Sequence, residues 1–134
     1  MALFTWNAQY ALGNPQIDAE HKQLFALAEQ LHHVMSTGAP AESVGKVLAS
    51  LIDYTKTHFS HEEQLMVRHQ YPEYKAHKAL HDELTDKVLA LQRDFAAKKV
   101  CLSIDIMRFL KDWLSHHIGN SDRKIAEFLK AHAA

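Results

Sequence analysis

The sequence has few of the residues that interrupt helices, with 4 glycines and 3 prolines among 134 residues. This scarcity favours long helices over β structure rich in turns. There is a single cysteine, Cys101, which excludes an internal disulfide and fits a reducing compartment. With 47% apolar residues, the chain is long and hydrophobic enough to fold as one domain around a core.

Several classes of protein lack their usual signals in this sequence. The net charge is −1, and no basic excess points to a nucleic acid as partner. No apolar run approaches the roughly 20 residues that cross a bilayer. The first residues have neither the basic segment nor the apolar segment of a signal peptide. We therefore expect a cytoplasmic protein with no nucleic-acid partner and no membrane insertion.

Histidine is the residue in excess, with 11 copies. His58 and Glu62 are spaced i,i+4, as are His77 and His81, and this spacing puts both members of a pair on one face of a helix. His117 and Asp122 are five residues apart, which favours a bend or a helix end between them.

Four amphipathic stripes predict four helices and an all-α fold. We place them at about 18–37, 41–68, 73–97 and 103–118, after an N-terminal arm over 1–16 and before a short helix over about 121–130. Asp18 is the predicted N-cap of the first helix. Gly119 and Asn120 are predicted to break the fourth. On the third helix the stripe continues through either Leu80 or His81.

Short connections between four such helices predict an up-down-up-down four-helix bundle. Alternate helices reverse direction in that topology, so one end of the bundle collects seven polar residues from the core stripes. A single histidine on an apolar stripe is more often a hydrogen-bonded core residue than a ligand. However, burying unpaired carboxylates costs several kcal/mol each, and metal coordination removes that cost. The predicted ligands are His21, His58, Glu62, His77, His81, His117 and Asp122.

Five imidazoles and two carboxylates are too many ligands for one ion and about right for two. Imidazole and carboxylate admit iron, zinc, manganese or cobalt by ligand type alone. The other six histidines fall off the stripes and are interpreted as surface or boundary residues: His32, His33, His61, His69, His116 and His132.

Four segments carry a resemblance to a known family. They are IDAEHKQL at 17–24, HFSHE at 58–62, HKALH at 77–81 and WLSHHIGNSD at 113–122. In this order they resemble the hemerythrins, in particular the single-domain bacteriohemerythrins. The resemblance implies one hemerythrin-like domain over 1–134, with the arm at 1–16 and the bundle at 17–134.

The resemblance further implies a non-haem centre of two iron ions. His77, His81 and His117 would bind one ion, and His21 and His58 the other. Glu62, Asp122 and an oxide or hydroxide would bridge both. Three imidazoles and three bridges saturate an octahedral ion, whereas two imidazoles and the same bridges leave one position open for a small ligand.

The function that the resemblance implies is reversible O2 binding for storage or delivery, without catalysis. A monomer is expected, with an unidentified oxygen-consuming protein as a possible acceptor. The alternatives are sensing of O2, NO or redox state, and a di-iron enzyme acting on peroxide or NO. A dry pocket would suit a carrier, and its predicted lining is Leu24, Phe25, Phe59, Trp113 and Leu114.

Two positions depart from the family's pattern. Ile125 stands three residues after the bridging Asp122, where many members have tyrosine. Ser115 and His116 replace the frequent asparagine-containing pair before the last histidine ligand. Neither departure removes a predicted ligand, and both bear on the hydrogen bonding around the centre.

Overall fold

The computed structural model describes residues 6, 8–97 and 104–131. Its helices are α1 (Pro15–Ser36), α2 (Ala41–Arg68), α3 (Tyr74–Ala96), α4 (Ile104–His116) and α5 (Arg123–Ala131). A 3-10 turn (Ala8–Tyr10) precedes α1, and a π-helical segment (His117–Asp122) joins α4 to α5. These described residues include no β-strand. The predicted all-α class and four-helix bundle are confirmed.

The first helix begins earlier than predicted. Asn14, and not Asp18, is its N-cap, because the Asn14 side chain accepts a hydrogen bond from the Ile17 amide at 3.1 Å. Pro15 follows at the first helical position, where its missing N–H costs nothing. The Asp18 carboxylate instead accepts hydrogen bonds from the amides of Leu12 (2.8 Å) and Gly13 (3.2 Å). Asp18 therefore fixes the turn before the helix.

The first two helices end in the same way, with a residue of positive φ just after the C-cap. Gly38 has φ +72° after α1, and Gln70 has φ +55° after α2. In each case the amide of the next residue donates a hydrogen bond to the carbonyl five residues earlier: Ala39 to Val34 and Tyr71 to Met66. These are Schellman motifs, which satisfy carbonyls at a helix end.

The predicted break at Gly119 and Asn120 is wrong. The chain continues through both residues as a π-helical segment, which is wider than an α-helix because its hydrogen bonds span five residues. Ser121, where the last helix was expected to begin, lies inside this segment, and α5 begins at Arg123. The predicted start of the fourth helix, Ser103, lies outside the described residues, as does Cys101.

Apolar side chains from α1, α2 and α4 form the main core, with Val88, Leu89 and Phe95 of α3 packed against it. All seven residues of the stripe predicted for α2 are buried: Val44, Leu48, Leu51, Thr55, His58, Glu62 and Met66. On α3 the stripe runs through His81, which is 1% exposed, and not through Leu80, which is 40% exposed. Trp6 and Tyr10 of the arm pack against the core. In the described part of the chain no helix has the length and apolar character to span a membrane.

Candidate metal centre

All seven predicted ligands are buried at one end of the bundle, with exposures of 4% or less. One comes from α1, two from α2, two from α3 and two from the π-helical segment. Their donor atoms form two groups, within each of which the atoms lie within 4.8 Å of one another. We call them the two-histidine group (His21, His58) and the three-histidine group (His77, His81, His117). Both groups include the same two carboxylates, Glu62 and Asp122.

In the two-histidine group the Nε2 atoms point at the carboxylates. His21 Nε2 lies 3.2 Å from Glu62 Oε2 and 3.0 Å from Asp122 Oδ2. His58 Nε2 lies 3.0 Å from Glu62 Oε2. These contacts join α1, α2 and the π-helical segment at one point.

The three-histidine group meets the other oxygens of the same carboxylates. His77 Nε2 lies 2.9 Å from Asp122 Oδ1, and His117 Nε2 lies 3.1 Å from it. His81 Nε2 lies 3.1 Å from Glu62 Oε1. Each carboxylate thus presents one oxygen to each histidine group, which is the orientation of a bridging ligand between two ions.

The polar atoms at the middle of the site fit metal ions. Within the described part of the chain, several of these buried atoms have no hydrogen-bond partner: Nε2 of His58 and His77, Oε1 of Glu62, and both carboxylate oxygens of Asp122. Buried polar atoms are rarely left in this condition. Imidazole nitrogens and carboxylate oxygens that converge and leave several of their atoms unpaired are suited to coordinate a divalent cation.

Without a metal, the site is held together by charge. Burial disfavours protonated histidine, but the neighbouring carboxylates outweigh it and raise the pKa of His58 to about 10 and that of His77 to about 9. Burial likewise disfavours the ionised carboxylates, yet the histidines around them hold the pKa of Glu62 and of Asp122 below their ordinary values. A cation would take the place of the protons on the imidazoles.

A third carboxylate, Glu20, lies behind the two-histidine group. His58 Nδ1 lies 2.7 Å from Glu20 Oε1, and His61 Nδ1 lies 2.6 Å from Glu20 Oε2. Glu20 is 9% exposed. The sequence indicated neither Glu20 nor His61 as a functional residue, because a contact between residues 38 or 41 positions apart leaves no periodic signal.

The three-histidine group has a similar partner in Glu63. Its Oε2 lies 3.0 Å from His81 Nδ1, and Lys78 Nζ lies 3.9 Å from its Oε1. Each histidine group therefore contains one imidazole whose outer nitrogen faces a carboxylate. Such partners orient a histidine ligand and raise its basicity.

Aromatic rings cover two imidazoles of the three-histidine group. Phe59 stacks on His81 with 3.8 Å between ring centroids and 2° between planes. Trp113 stacks on His117 at 4.5 Å and 11°. These contacts restrict the rotation of both imidazoles and separate them from the apolar core.

An apolar cavity of about 30 Å³ lies in the core next to the site. Four of the five residues predicted for the pocket line it: Leu24, Phe59, Trp113 and Leu114. The fifth, Phe25, is buried against Tyr10, with 5.0 Å between ring centroids. The hydroxyl of Thr55, which also lines the cavity, donates to the Leu51 carbonyl at 2.7 Å. Cavities lined by apolar side chains stay dry, because a water molecule in them would lack polar partners.

Comparison with known proteins adds the family to this geometry. The sequence profile of the Hemerythrin HHE cation binding domain matches residues 12–129. Bacteriohemerythrin of Methylococcus capsulatus is 38% identical over 132 residues, which cover 98% of this chain and all of that protein. Bacteriohemerythrin of Stenotrophomonas maltophilia is 33% identical over 98% of this chain and 85% of its own length.

Solved structures agree with the sequence comparison. The crystal structure of a wild-type hemerythrin superimposes with a TM-score of 0.90 at 36% identity, covering 96% of this chain and 98% of the other. The family profile spans the bundle and all seven residues of the buried cluster. This chain belongs to the hemerythrin family of cation-binding proteins.

Proposed function

We propose that this protein holds two iron ions in the buried cluster and uses them to bind O2 reversibly, for storage or delivery. The observation that carries the proposal is the sharing of Glu62 and Asp122 by two histidine groups of unequal size. One oxygen of each carboxylate serves each group, so both ions would be held by five imidazoles and two bridges. The choice of iron rests on the family, since the donor atoms alone admit other metals.

The unequal histidine count suggests where O2 would bind. The two-histidine group has one imidazole fewer than the three-histidine group, and the same carboxylates serve both. An ion in the two-histidine group would therefore keep a position for an outside ligand, as open metal sites do. Iron supplies the reversible redox change that O2 binding at such a site needs.

The apolar cavity supports a carrier over an enzyme. Leu24 lies one helical turn after His21. The Phe59 ring lies 3.8 Å from the His81 ring and 6.0 Å from the His58 ring, measured between centroids. Two residues that line the cavity therefore lie beside the cluster. Its lining offers no ionisable group among the described residues. A small apolar molecule could enter this space without meeting an acid that would drive further chemistry. We infer that Leu24, Phe59, Trp113 and Leu114 keep the ligand site dry, and Phe25 stays a prediction.

We further propose that the protein is a cytoplasmic monomer and that it passes O2 to an oxygen-consuming acceptor protein. Sensing of O2, NO or redox state, and turnover of peroxide or NO, are the competing functions of the same centre. Turnover differs from storage because the bound molecule is consumed, whereas sensing differs because binding must change the activity of a partner.

Visible spectroscopy of the iron-loaded protein tests the proposal. The protein is reduced without oxygen, exposed to O2, and then flushed with argon. A carrier develops an absorption band with O2 and loses it under argon over repeated cycles. Steady consumption of O2 or peroxide in the presence of an electron donor would instead show an enzyme. No spectral response to O2 would reject the proposed carrier function.

A further inference from the structure

We propose that Glu20 is the positioning residue of the two-histidine group: through its hydrogen bond to Nδ1 it fixes the orientation of His58 and leaves Nε2 facing the site, and His61 holds Glu20 in place. The inference rests on the proposed metal centre. It concerns only the strength and the electronic character of one half of that centre.

His58 can bind a cation through Nε2 only if Nε2 carries no proton. Its Nε2 points to the middle of the site, 3.0 Å from Glu62 Oε2. For Nε2 to bind a cation, the single proton of the neutral imidazole must be on Nδ1. The Glu20 carboxylate, 2.7 Å from Nδ1, accepts that proton's hydrogen bond. Glu20 thereby selects the form of His58 that can act as a ligand.

Glu20 is itself held in position by its neighbours. Its other oxygen accepts a hydrogen bond from His61 Nδ1 at 2.6 Å, and Gln16 Nε2 lies 3.4 Å from the same oxygen. His61 is 38% exposed in its side chain, whereas His58 is 1% exposed. One carboxylate therefore links a buried imidazole to a histidine at the surface, and both of its oxygens are fixed.

The two-histidine group depends on Glu20 more than the three-histidine group does. His21, the other imidazole of the two-histidine group, has a buried Nδ1 with no partner in the described part of the chain. Glu20 is its neighbour on α1. This helix therefore supplies both His21 and the carboxylate that orients His58. The three-histidine group has an additional imidazole and its own partner, Glu63. Loss of Glu20 should therefore weaken the two-histidine group selectively.

Cobalt titration of the full-length, metal-free protein tests this inference without O2. Bound Co²⁺ absorbs in the visible range with an intensity that depends on its coordination. For Glu20→Ala we expect one ion to bind as in the wild type and the other to bind 10- to 100-fold more weakly, the usual effect of removing such a partner. For Glu20→Gln we expect a smaller loss, because the amide oxygen can still accept the Nδ1–H hydrogen bond.

Two control variants identify the affected ion. Glu42→Gln removes a carboxylate that is 83% exposed and about 24 Å along α2 from His58, so it should titrate like the wild type. Glu63→Gln acts on His81 and should weaken binding of the ion held by the three-histidine group.

His61→Ala tests the residue that holds Glu20. It should lower the affinity for the ion of the two-histidine group, as Glu20→Gln does, but by less.

The outcomes separate this inference from the proposed function. If Glu20→Ala and Glu20→Gln titrate like Glu42→Gln, Glu20 is not a positioning residue, even where the wild-type protein binds O2. If the wild type takes up two Co²⁺ and the Glu20 variants lose one selectively, the inference holds even where the iron-loaded protein fails to bind O2. If Glu20→Ala does not fold, the isosteric Glu20→Gln decides the question through its affinity and its cobalt spectrum.

Discussion

His117 and Asp122 are five residues apart, yet His117 Nε2 lies 3.1 Å from Asp122 Oδ1. In an α-helix, residues at this spacing point in clearly different directions, because one turn takes 3.6 residues. The π-helical segment widens the turn between them and brings both side chains to the same point. π-Helical turns are uncommon and are often found at functional sites. Here the turn brings the Asp122 carboxylate to the three-histidine group.

Replacing that carboxylate tests its role in joining the two groups. Asp122→Asn keeps the size of the side chain and removes its charge, so we expect the affinity for the second iron ion to fall at least about 100-fold, since even indirect partners of ligands cost 10- to 100-fold. Metal analysis after gel filtration measures the iron retained. Asp112→Asn, at an exposed position on α4, is the matched control and should retain the wild-type amount. Equal retention by both variants would show that Asp122 is not a bridge.

Spacing in the sequence was enough to predict the bundle and to bring the seven residues together. Pairs such as His58 and Glu62 carry their geometry in the i,i+4 pattern, and the reversal of alternate helices brings them to one end. The helix start at Asp18 was predicted wrongly because Asn14 and Pro15 form a stronger cap-and-first-turn pair. Asp18 still contributes, as an acceptor for the preceding turn.

Two features of the site could not be predicted from local patterns. Gly119 and Asn120 are typical helix breakers, but tertiary contacts of His117 and Asp122 favour a wider helix over an end. The position of Glu20 next to His21 gives no indication of its partners, because its hydrogen bonds to α2 depend on how two helices are rotated against each other. Only the three-dimensional packing reveals such contacts.

The helix end at Gln70 allows a stabilising substitution. Gln70 has φ +55°, a conformation that costs a residue with a side chain about 1–2 kcal/mol and costs glycine almost nothing. We therefore expect Gln70→Gly to raise the free energy of unfolding by about 1 kcal/mol, measured by urea denaturation. Gly38→Ala, at φ +72° in the equivalent motif, should lower it by a similar amount. A loss of stability in Gln70→Gly would contradict this interpretation of the turn.

The metal-free protein should lose stability as the pH rises above neutrality. The pKa of His58 is raised to about 10 and that of His77 to about 9, while unfolded histidine titrates near 6.5. The stabilisation is therefore complete below about pH 6.5 and is lost progressively toward pH 9–10. On the acid side, the lowered pKa values of Glu62 and Asp122 make stability fall below about pH 4.

Urea denaturation of chelator-treated protein between pH 4 and 10 measures this profile. The iron-loaded protein is the control, because a bound cation needs neutral imidazoles and should bind more tightly as the pH rises from 6.5. Its stability should not decline over that interval. A metal-free protein whose stability is constant from pH 6.5 to 10 would show that the histidine–carboxylate contacts contribute little.

The lining of the apolar cavity is tested by shortening one side chain near the centre. Leu114 lies one helical turn before His117, so Leu114→Ala should admit water to the ligand site and shorten the lifetime of the O2-bound form, followed by its visible band. Leu48 lines the same cavity but lies about 15 Å along α2 from His58, so Leu48→Ala serves as the control. Both substitutions should cost about 3 kcal/mol of stability, but only Leu114→Ala should change the lifetime. Equal lifetimes in both variants would argue against a protective role for Leu114.

If two cations share Glu62 and Asp122 at one end of the bundle, the metal-free protein should take up two iron ions. Anaerobic titration with Fe²⁺, followed by measurement of the iron content after desalting, gives this number. We predict that binding saturates at about two iron ions per chain. Saturation at one ion per chain, with no further uptake at higher Fe²⁺, would show that the two carboxylates do not serve two cations.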